Sequence, residues 1–562
     1  MSHPNPSTAM ARTIVDEMTR HGLDGAVIAP GSRSTALVLA LNDAGVDLSV
    51  HIDERSAAFR ALGHAAATGR PGVVVTTSGS AVANLMPAVV EADRAAMPLL
   101  LLTADRPEEM VRRRTNQTMD QRSIFTPYSR GQLFIGPGDQ DPGGNQIWRS
   151  AVSRAFSLAL GGPGAPGPVH LNIAFEEPTV PVPDDGRVSA SEYGHDTEGR
   201  DGGEPWHVEA QVEPQREQPP GNVMELGGRM VIVAGRGDYD PVALEELASR
   251  RGIPVLATAL SGGRGIESVT TYHHLFVRGV PDQLQPDSVV VVGQPGPSNR
   301  IARLLETGAP VTHVDRWGLF SDISGTMKMG VREDPVAFLE RTAPQQQAGW
   351  SGEWKRLDQR LRQALNDAID GAERPTGPGV ARALDTLPWS SLVVASSLPV
   401  RDVDAHLTRP SWVHSNRGVS GIDGFASTLL GVADRRPGTV GLVGDLSFLH
   451  DSNAFLCDSK PGAVIVLIDN GGGGLFDLLP QARFAPDFER FFTTDPRRDF
   501  SVLADFHDLG YVDVDSIAAM SEAVGSQVGT EELAVVRIGV DRSDDLGIRS
   551  ALDAVAAEVL GV

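Results

Sequence analysis

The sequence predicts an α/β protein built from three doubly wound parallel sheets. Short apolar runs recur along the chain and alternate with stretches of helical periodicity, as they do where crossover helices join parallel strands. The length of 562 residues allows three or four domains with buried cores. Polar residues follow several of the apolar runs directly, which places them at the carboxyl ends of the predicted strands. Open α/β sheets bind their ligands at that edge.

Composition divides the chain into four parts. Residues 1–182 form a first α/β domain, and residues 183–222 are an acidic linker rich in Pro and Gly, to which we assign no secondary structure. Residues 223–372 form a central α/β domain that ends in a polar helix near 353–372, and residues 373–562 form a third. Strands are expected at 73–75, 99–102, 230–233, 289–292, 310–314, 440–443 and 463–468.

Two polar residues of the third domain lie just beyond apolar runs. Asp445 follows the run at 440–443, and Asn470 follows the run at 463–468 and opens onto a glycine stretch at 471–474. Mg²⁺ prefers oxygen ligands and keeps phosphate oxygens among them. We therefore predict that Asp445, Asn470 and the carbonyl of Gly472 bind a metal ion and a diphosphate. The alternative is two ordinary turns, in which Asp and Asn are common.

Glu54 is a candidate near the amino terminus, in the sequence HIDER at 51–55. Taken alone, it is most simply a solvated residue at the start of a helix. The chain has 72 acidic residues, so one carboxylate in one short motif carries little weight.

Seven segments that occur in order along the chain favour a functional role for Glu54. They are PGSR at 30–33, IDER at 52–55, TSGSAVANL at 77–85, ADRP at 104–107, NQT at 116–118, SNRGVSGIDG at 415–424 and GDLSF at 444–448. Together they make the chain resemble the 2-succinyl-5-enolpyruvyl-6-hydroxy-3-cyclohexene-1-carboxylate synthase (MenD) family of thiamine-diphosphate enzymes. The resemblance is dense before residue 120 and at 390–480, and thin between 180 and 370.

The resemblance implies three domains of the thiamine-diphosphate-enzyme type: pyrimidine-binding, central and diphosphate-binding. It implies a transferase of menaquinone biosynthesis that uses thiamine diphosphate with Mg²⁺ or Mn²⁺. The reaction would be decarboxylation of 2-oxoglutarate and 1,4-addition of the resulting succinyl-semialdehyde carbanion to isochorismate. The cofactor would lie across a subunit interface, with Glu54 from one subunit and the Asp445 motif from the other. A homodimer is then the minimum unit, and tetramers are usual.

The resemblance also implies residue roles. Glu54 would contact N1′ of the aminopyrimidine, and Asp445, Asn470 and the Gly472 carbonyl would hold the metal. Further cofactor contacts would be Ser78, Gly79, Ile422, Gly444, Leu446, Leu475 and Phe476. Substrate contacts would be Ser397 and Arg401 for the distal carboxylate of 2-oxoglutarate, Ser32, Arg33, Arg106 and Gln117 for isochorismate, and Arg417 near the intermediate. For Ile422, Leu475 and Phe476 the alternative is core packing, and for each arginine it is a surface salt bridge.

Some positions depart from the family pattern. Leu446 replaces the last glycine of the usual Gly-Asp-Gly, and Asp469 stands where asparagine is common. No lysine occurs where the family places a cationic isochorismate contact in the central region, and Arg300 is the substitute we consider. Other thiamine-diphosphate enzymes, an acetohydroxyacid synthase or a 2-oxoacid decarboxylase, stay open as alternatives, as does a catalytically silent scaffold protein.

Net charge and composition limit the classes of molecule that the protein is expected to bind. The net charge of −23 disfavours nucleic acid and requires arginine to be concentrated wherever anionic substrates bind. Cys457 is the single cysteine, which excludes an intramolecular disulfide and indicates a packing residue. No apolar run approaches the roughly 20 residues of a membrane span, and no signal segment precedes the first domain. We therefore expect a soluble, cytoplasmic enzyme.

Overall fold

The computed structural model of the protein describes residues 5–137, 144–162, 164–181, 198–209, 226–265, 268–296, 298–484 and 487–562. These residues contain three six-stranded sheets in which every strand pairing is parallel, so the predicted α/β fold class is confirmed. Most of the predicted linker at 183–222 falls outside the described residues. The part that is described, 198–209, contacts the first helix, where the N–H of Trp206 donates to a Glu17 carboxylate oxygen at 2.6 Å.

The chain forms two compact units. The N-terminal unit consists of the described residues from Met1 to Glu213 together with Asn416–Pro437 and Leu449–Pro461. The C-terminal unit consists of those from Pro214 to Ser415 together with Gly438–Phe448 and Gly462–Val562.

The first sheet lies in the N-terminal unit and has the strand order β2-β1-β3-β4-β6-β5. Its apolar runs are buried on both faces, so neighbouring residues of one strand enter different cores: Val73 and Val75 pack with one set of helices, and Val74 with the other. The strands are β1 (Gly25–Ile28), β2 (Asp47–Val50), β3 (Gly72–Thr76), β4 (Leu99–Asp105), β5 (Gly131–Ile135) and β6 (Pro168–Ala174). The helices are α1 (Pro6–Arg20), α2 (Thr35–Asp43), α3 (Glu54–Thr68), α4 (Ser80–Asn84), α5 (Met86–Ala95), α6 (Glu108–Arg112) and α7 (Gly144–Ala159).

The second sheet, in the C-terminal unit, has the order β12-β11-β10-β7-β8-β9. The strands are β7 (Met230–Ala234), β8 (Val255–Ala257), β9 (Ser268–Val269), β10 (Ser288–Val292), β11 (Val311–Val314) and β12 (Met327–Val331). The helices are α8 (Pro241–Arg251), α9 (Tyr272–Leu275), α10 (Ile301–Leu305), α11 (Pro335–Thr342) and α12 (Trp350–Asp370). Helix α12 confirms the polar helix expected near 353–372, and its apolar stripe, which includes Trp354 and Leu361, is buried in the core of this sheet.

The third sheet, in the same unit, has the order β14-β13-β15-β16-β18-β17. The strands are β13 (Ser391–Val394), β14 (Trp412–His414), β15 (Thr439–Gly444), β16 (Ala463–Asp469), β17 (Gly510–Val514) and β18 (Leu533–Gly539). The helices of this part of the chain are α13 (Gly377–Ala383), α14 (Leu398–His406), α15 (Phe425–Ala433), α16 (Asp445–His450), α17 (Phe500–Phe506), α18 (Ile517–Gln527) and α19 (Arg542–Leu560). All seven expected strands coincide with observed ones.

Helix α15 belongs to the N-terminal unit, where it packs closely against α3. Glycine permits the approach on both sides: a Cβ at Gly63 would lie 2.2 Å from the Thr428 carbonyl oxygen, and a Cβ at Gly431 would lie 2.0 Å from that of Arg60. Two helices at this distance exclude any larger side chain from the contact. The helices are also tied by Arg60, whose Nε and Nη2 both donate at 2.9 Å to the Asp434 carboxylate.

None of the helices in the described part of the chain combines the length and the apolar character that a membrane span requires.

Candidate active site

Asp445 lies at the carboxyl end of β15, next to the end of β16. Gly444, the last residue of β15, pairs in register with Ile468 of β16, so Asp445 and the segment from Asp469 leave the sheet side by side. The Asp445 carboxylate is 3 % exposed. Its two oxygens accept hydrogen bonds of 2.7 Å from the backbone N–H groups of Leu446 and Gly472. The structure thus brings Asp445 and the glycine stretch together.

The glycine stretch is a loop that other residues would not form. Gly471, Gly472 and Gly473 have φ of 74°, 86° and 41°, in the left-handed region that favours glycine. A Cβ at Gly472 would also lie 2.4 Å from the Thr493 carbonyl oxygen. The Asn470 amide packs against the same loop, because a Cβ at Gly474 would lie 2.6 Å from its Nδ2.

The electrostatics of this corner favour a cation. Burial raises the pKa of Asp445 to about 6; the N–H groups of Gly472 and Leu446 oppose the rise, and the neighbouring Asp469 carboxylate adds to it. A nearby positive charge would reverse the penalty of burying this carboxylate. Asp469 in turn accepts hydrogen bonds from Nε and Nη2 of Arg537 at 2.9 and 2.6 Å.

The donor set at this corner fits a hard divalent cation. It offers the Asp445 carboxylate, the Asn470 side-chain amide and the backbone carbonyls of the glycine loop, and oxygen ligands of these kinds suit Mg²⁺ and Mn²⁺. Within the described ranges no three His, Cys, Asp or Glu side chains cluster as a metal site. The proposed ligand set differs from such a cluster, because its other two ligands are an amide oxygen and a backbone carbonyl.

Ser397 and Arg401 lie at the amino end of α14, beside the same loop. Ser397 precedes the helix with φ of 78°, and Nη1 of Arg401 donates to its carbonyl at 2.5 Å. Leu398 reaches the glycine loop, since its Cδ1 would be 3.5 Å from a Cβ at Gly474. Burial lowers the pKa of Arg401, an effect that Asp402 opposes and Arg549 reinforces.

Leu475 and Phe476 follow the glycine loop in a half-buried 3₁₀ turn, Gly474–Leu478. The Phe476 ring lies 5.6 Å from the ring of Phe492.

Glu54 is the first residue of α3 in the N-terminal unit. Its neighbour Asp53 caps the helix by accepting a 2.9 Å hydrogen bond from the N–H of Arg55, so the Glu54 side chain is not used as the cap. Oε2 of Glu54 instead accepts from Nδ2 of Asn84, at the end of α4, at 3.1 Å. Ile52, two residues earlier, is 71 % exposed.

Three of the expected contact residues form one hydrogen-bonded group in this unit, and a fourth packs against it. Nη1 of Arg106 donates to Ser78 Oγ at 2.6 Å and to the Gln117 carbonyl at 2.9 Å. Nε2 of Gln117 donates to the Ser78 carbonyl at 2.9 Å. Gly79 lies against Gln117, whose Cγ would be 2.9 Å from a Cβ at Gly79. The structure therefore brings Ser78, Gly79, Arg106 and Gln117 together.

Arg33 lies close enough to this group to affect the pKa of Arg106. It is buried in the 3₁₀ turn Ser32–Ser34, donates to the Phe175 carbonyl at 3.1 Å and pairs with Glu177 at 3.0 Å. Burial and then the Arg33 guanidinium lower the pKa of Arg106. Two guanidinium groups that repel each other in this way would both be stabilised by an anion. Ser32 is exposed in the same turn.

The loop at 416–424 carries Arg417 and Ile422 and is fixed by a residue that the sequence motifs did not indicate. Glu91 of α5 is buried, and its two carboxylate oxygens accept from the N–H groups of Gly418 and Val419 at 2.6 and 2.8 Å. Ile422 is 40 % exposed, so the alternative of core packing is wrong for it. Glu91 precedes the loop by more than 300 residues, and no local sequence pattern marks it. Asn84, the partner of Glu54, lies within the segment at 77–85, but nothing in that segment indicates its role.

Arg300, considered above as a substitute for a lysine, is engaged in an ion pair. Its Nη1 and Nη2 donate to the Asp553 carboxylate at 2.8 and 2.5 Å, and Nη1 also donates to the His273 carbonyl at 2.9 Å. Arg300 therefore ties α10 to α19, and its guanidinium is committed to that ion pair.

Comparison of the sequence with known proteins identifies the family of this chain. Residues 8–124 match the family described as thiamine pyrophosphate enzyme, N-terminal TPP binding domain. A 2-succinyl-5-enolpyruvyl-6-hydroxy-3-cyclohexene-1-carboxylate synthase of Thermobifida fusca is 38 % identical, over 99 % of this chain and 100 % of that protein. The chain belongs to this synthase family. Synthases of the same name from Saccharopolyspora erythraea and Roseiflexus castenholzii are 37 % and 36 % identical, each over 98 % of both chains.

Membership in the synthase family makes this chain a thiamine-diphosphate-dependent enzyme of the transferase type. The matched N-terminal range contains Glu54, Ser78, Gly79, Arg106 and Gln117, and the full-length relatives also span the glycine loop.

Proposed function

We propose that this chain decarboxylates 2-oxoglutarate and adds the remaining four-carbon unit to isochorismate, forming 2-succinyl-5-enolpyruvyl-6-hydroxy-3-cyclohexene-1-carboxylate in menaquinone biosynthesis. The observation that carries the proposal is the hydrogen bond between Asp445 and Gly472, which forms a buried acidic corner at the end of β15. The chain is similar to these synthases over its whole length, and it carries both this corner and Glu54 at the start of α3.

The diphosphate end of the cofactor would be held through a metal ion. Asp445, the Asn470 side chain and the Gly472 carbonyl are the proposed ligands, with Mg²⁺ or Mn²⁺ as the ion. Gly444, Leu446, Leu475 and Phe476 would line the bound cofactor on this side.

At the aminopyrimidine end, the Glu54 carboxyl would hold a proton at N1′. Ser78 and Gly79 would contact this ring, and Ile422 would support the bent cofactor from its apolar side. Thiamine diphosphate, when bound, supplies the electron sink that decarboxylation of a 2-oxoacid requires.

The substrates are multiply anionic, and the arginines would recognise their carboxylates. Arg401 with Ser397 would bind the distal carboxylate of 2-oxoglutarate, because a guanidinium matches a carboxylate in geometry and charge. Ser32, Arg33, Arg106 and Gln117 would bind isochorismate, and Arg417 would lie near the reacting carbons. The closeness of Arg33 and Arg106 supports this division, since two adjacent cations suit a dianion.

We further propose that residues 1–182, 223–372 and 373–562 are the pyrimidine-binding, central and diphosphate-binding domains, and that the enzyme acts as a homodimer or tetramer. Glu54 of one subunit would then serve the Asp445 corner of another. We propose that the enzyme acts in the cytoplasm.

An omission assay tests the function. The purified protein is mixed with thiamine diphosphate, Mg²⁺, 2-oxoglutarate and isochorismate, and the absorbance of isochorismate is followed while one component at a time is left out. We expect its loss to require all four. Decarboxylation of 2-oxoglutarate that proceeds equally fast without isochorismate would favour the decarboxylase alternative. Cofactor binding without any turnover would favour the silent homologue.

A further inference from the structure

A chain of buried polar side chains lies beneath the group formed by Ser78, Gly79, Arg106 and Gln117. Its members are Asp105 of β4, Asn172 of β6 and Gln121, and each is at most 2 % exposed. Thr103 of β4, the register partner of Asn172, completes it. The flanking strand residues Leu102 and Ile173 are apolar and fully buried, so the polar chain interrupts an otherwise dry core.

The hydrogen bonds run without a break from one loop to the other. The N–H of Gly79 donates to Gln121 Oε1 at 3.3 Å, and Gln121 Nε2 donates to Asn172 Oδ1 at 2.6 Å. Nδ2 of Asn172 then donates to one oxygen of Asp105 at 2.8 Å, and the N–H of Arg106 donates to the other at 2.7 Å. Three side chains therefore join the backbone of Gly79 to the backbone of Arg106.

The direction of these hydrogen bonds is determined by chemistry. The Asn172 NH₂ group must face Asp105, because its carbonyl would meet a carboxylate if the amide were turned over. Its oxygen then accepts from Gln121 and from Thr103 Oγ at 2.9 Å. His170, 2.7 Å from Thr103 Oγ, has its pKa lowered to about 4 by burial. As a neutral ring it can donate Nε2–H to Thr103, which leaves the hydroxyl proton for Asn172.

A network of this kind is costly unless every member is satisfied, and apolar residues would fill the space more cheaply. Both of its ends are backbone N–H groups of residues placed at the proposed site. Arg106 Nη1 also bridges back to Ser78 and Gln117, beside Gly79. The network and the arginine thus close a ring that sets how far the Gly79 loop lies from the Arg106 guanidinium.

We propose that Gln121 and Asn172 are positioning residues that hold Arg106, against the Gly79 loop, in the geometry required to bind the isochorismate carboxylates. The inference rests on the proposed function and extends it to residues that do not touch the substrate. It places recognition of the second substrate partly in the sheet core, on β6.

The test compares KM values for the two substrates in variants of the full-length enzyme. Gln121→Met removes the hydrogen bonds of Gln121 to Gly79, to Asn172 and to the Ala104 carbonyl. Gln121→Glu keeps the side-chain shape and the acceptor for Gly79 but replaces the donor to Asn172 and Ala104 by an acceptor. We expect KM for isochorismate to rise about tenfold in both, with KM for 2-oxoglutarate within about twofold of the wild-type value. Gln121→Glu keeps the test meaningful if Gln121→Met does not fold.

Asn145→Ala is the matched control. Asn145 is a buried amide of the same unit, hydrogen-bonded to Arg149 and to the Glu198 carbonyl, and it has no link to the Gly79 loop. It should lower thermal stability without changing either KM. Equal rises of both KM values in the Gln121 variants, or the same isochorismate effect in Asn145→Ala, would overturn the inference.

A double-mutant cycle adds a second criterion. If Gln121 acts through Arg106, then Gln121→Met should change KM for isochorismate little in an Arg106→Ala background, whereas independent roles predict additive effects. Additivity contradicts the positioning role. The proposed function fails separately: a wild-type enzyme that does not consume isochorismate contradicts that function, whatever the variants do.

Discussion

Nδ2 of Asn84 lies 3.1 Å from Oε2 of Glu54, and this contact joins the end of α4 to the start of α3. The hydrogen bond leaves Oε1 of the carboxyl group for another partner, and it fixes the orientation of a side chain that would otherwise turn freely at a helix start.

The first prediction concerns Glu54→Gln. The variant should fold and bind thiamine diphosphate, because glutamine can still accept from Asn84, but it cannot hold a transferable proton at N1′. Turnover should fall about 100-fold or more, as the loss of a general acid–base group does. The measurement is kcat with saturating cofactor. Glu108→Gln, which removes an exposed carboxylate from a surface ion pair with Arg112, should leave kcat unchanged, and a near-normal rate in Glu54→Gln would refute the assignment.

The second prediction concerns Asp445→Asn. The neutral amide keeps much of the shape but removes the charge that would bind the metal, so Mg²⁺-dependent binding of thiamine diphosphate should weaken by about 100-fold. Calorimetric titration of the cofactor at fixed Mg²⁺ measures it. Asp513→Asn, which removes an exposed partner of Arg537 in the same unit, should bind the cofactor normally. Unchanged affinity in Asp445→Asn would remove Asp445 from the ligand set.

The third prediction tests shared active sites. If each site combines Glu54 of one subunit with Asp445 of another, a mixture of Glu54→Gln and Asp445→Asn subunits forms heterodimers with one intact site of two. Random exchange of inactive parents should then recover about a quarter of wild-type activity. Activity is measured after co-refolding or co-expression. A mixture that stays inactive although mass analysis detects heterodimers would place both residues of a site in one chain.

The fourth prediction concerns the close contact of α3 with α15. Gly431→Ala should destabilise the protein by about 3 kcal/mol, because its Cβ would lie 2.0 Å from the Arg60 carbonyl oxygen and the helices must separate. Gly525→Ala is the matched control, since Gly525 is exposed within α18 and its Cβ would meet open space. That change should stabilise the helix by about 0.5–1 kcal/mol. Thermal unfolding compares the two, and similar Tm shifts would speak against the proposed clash.

The fifth prediction is a pH dependence of stability. Burial lowers the pKa of His170 from 6.5 to about 4, so between these values the unfolded chain binds a proton that the folded protein does not. Stability should be unaffected by this group above pH 6.5 and should fall by roughly 3 kcal/mol as the pH drops to 4. Urea unfolding across that range measures the slope. His170→Gln should make the slope shallower by this amount, and other buried histidines with a lowered pKa, such as His51, account for part of the remainder. Replacement of the exposed His450 should not change the slope, and an equally steep slope in His170→Gln would assign the effect elsewhere.

Seven of the strands could be predicted because each is a short apolar run bounded by turn residues, and that signal is local. The Asp445 corner was predictable for the same reason: both of its chain segments follow strands that pair in register. The group around Arg106 required the family resemblance, because its members are spread over 78–117 and no periodicity joins them.

The remaining contacts depend on tertiary structure. Glu91 holds the loop at 418–419, and Arg300 pairs with Asp553, a residue 253 positions away. A glutamate on a helix and an arginine in an arginine-rich chain have no distinctive sequence signal. Gln121 and Asn172 read as a polar loop residue and a polar interruption of a strand, and their role becomes apparent only when β4 and β6 lie side by side.

The packing of α3 against α15 has a consequence during synthesis. Thr428 of α15 approaches the Phe59 carbonyl from 369 positions further along the chain, so the ribosome completes α3 long before its partner emerges. Until then the small-residue face around Gly63 has no helix to cover it. The N-terminal unit of the nascent protein therefore stays incomplete until most of the polypeptide has been translated, and its uncovered surface is available to chaperones or to misassociation with neighbouring chains.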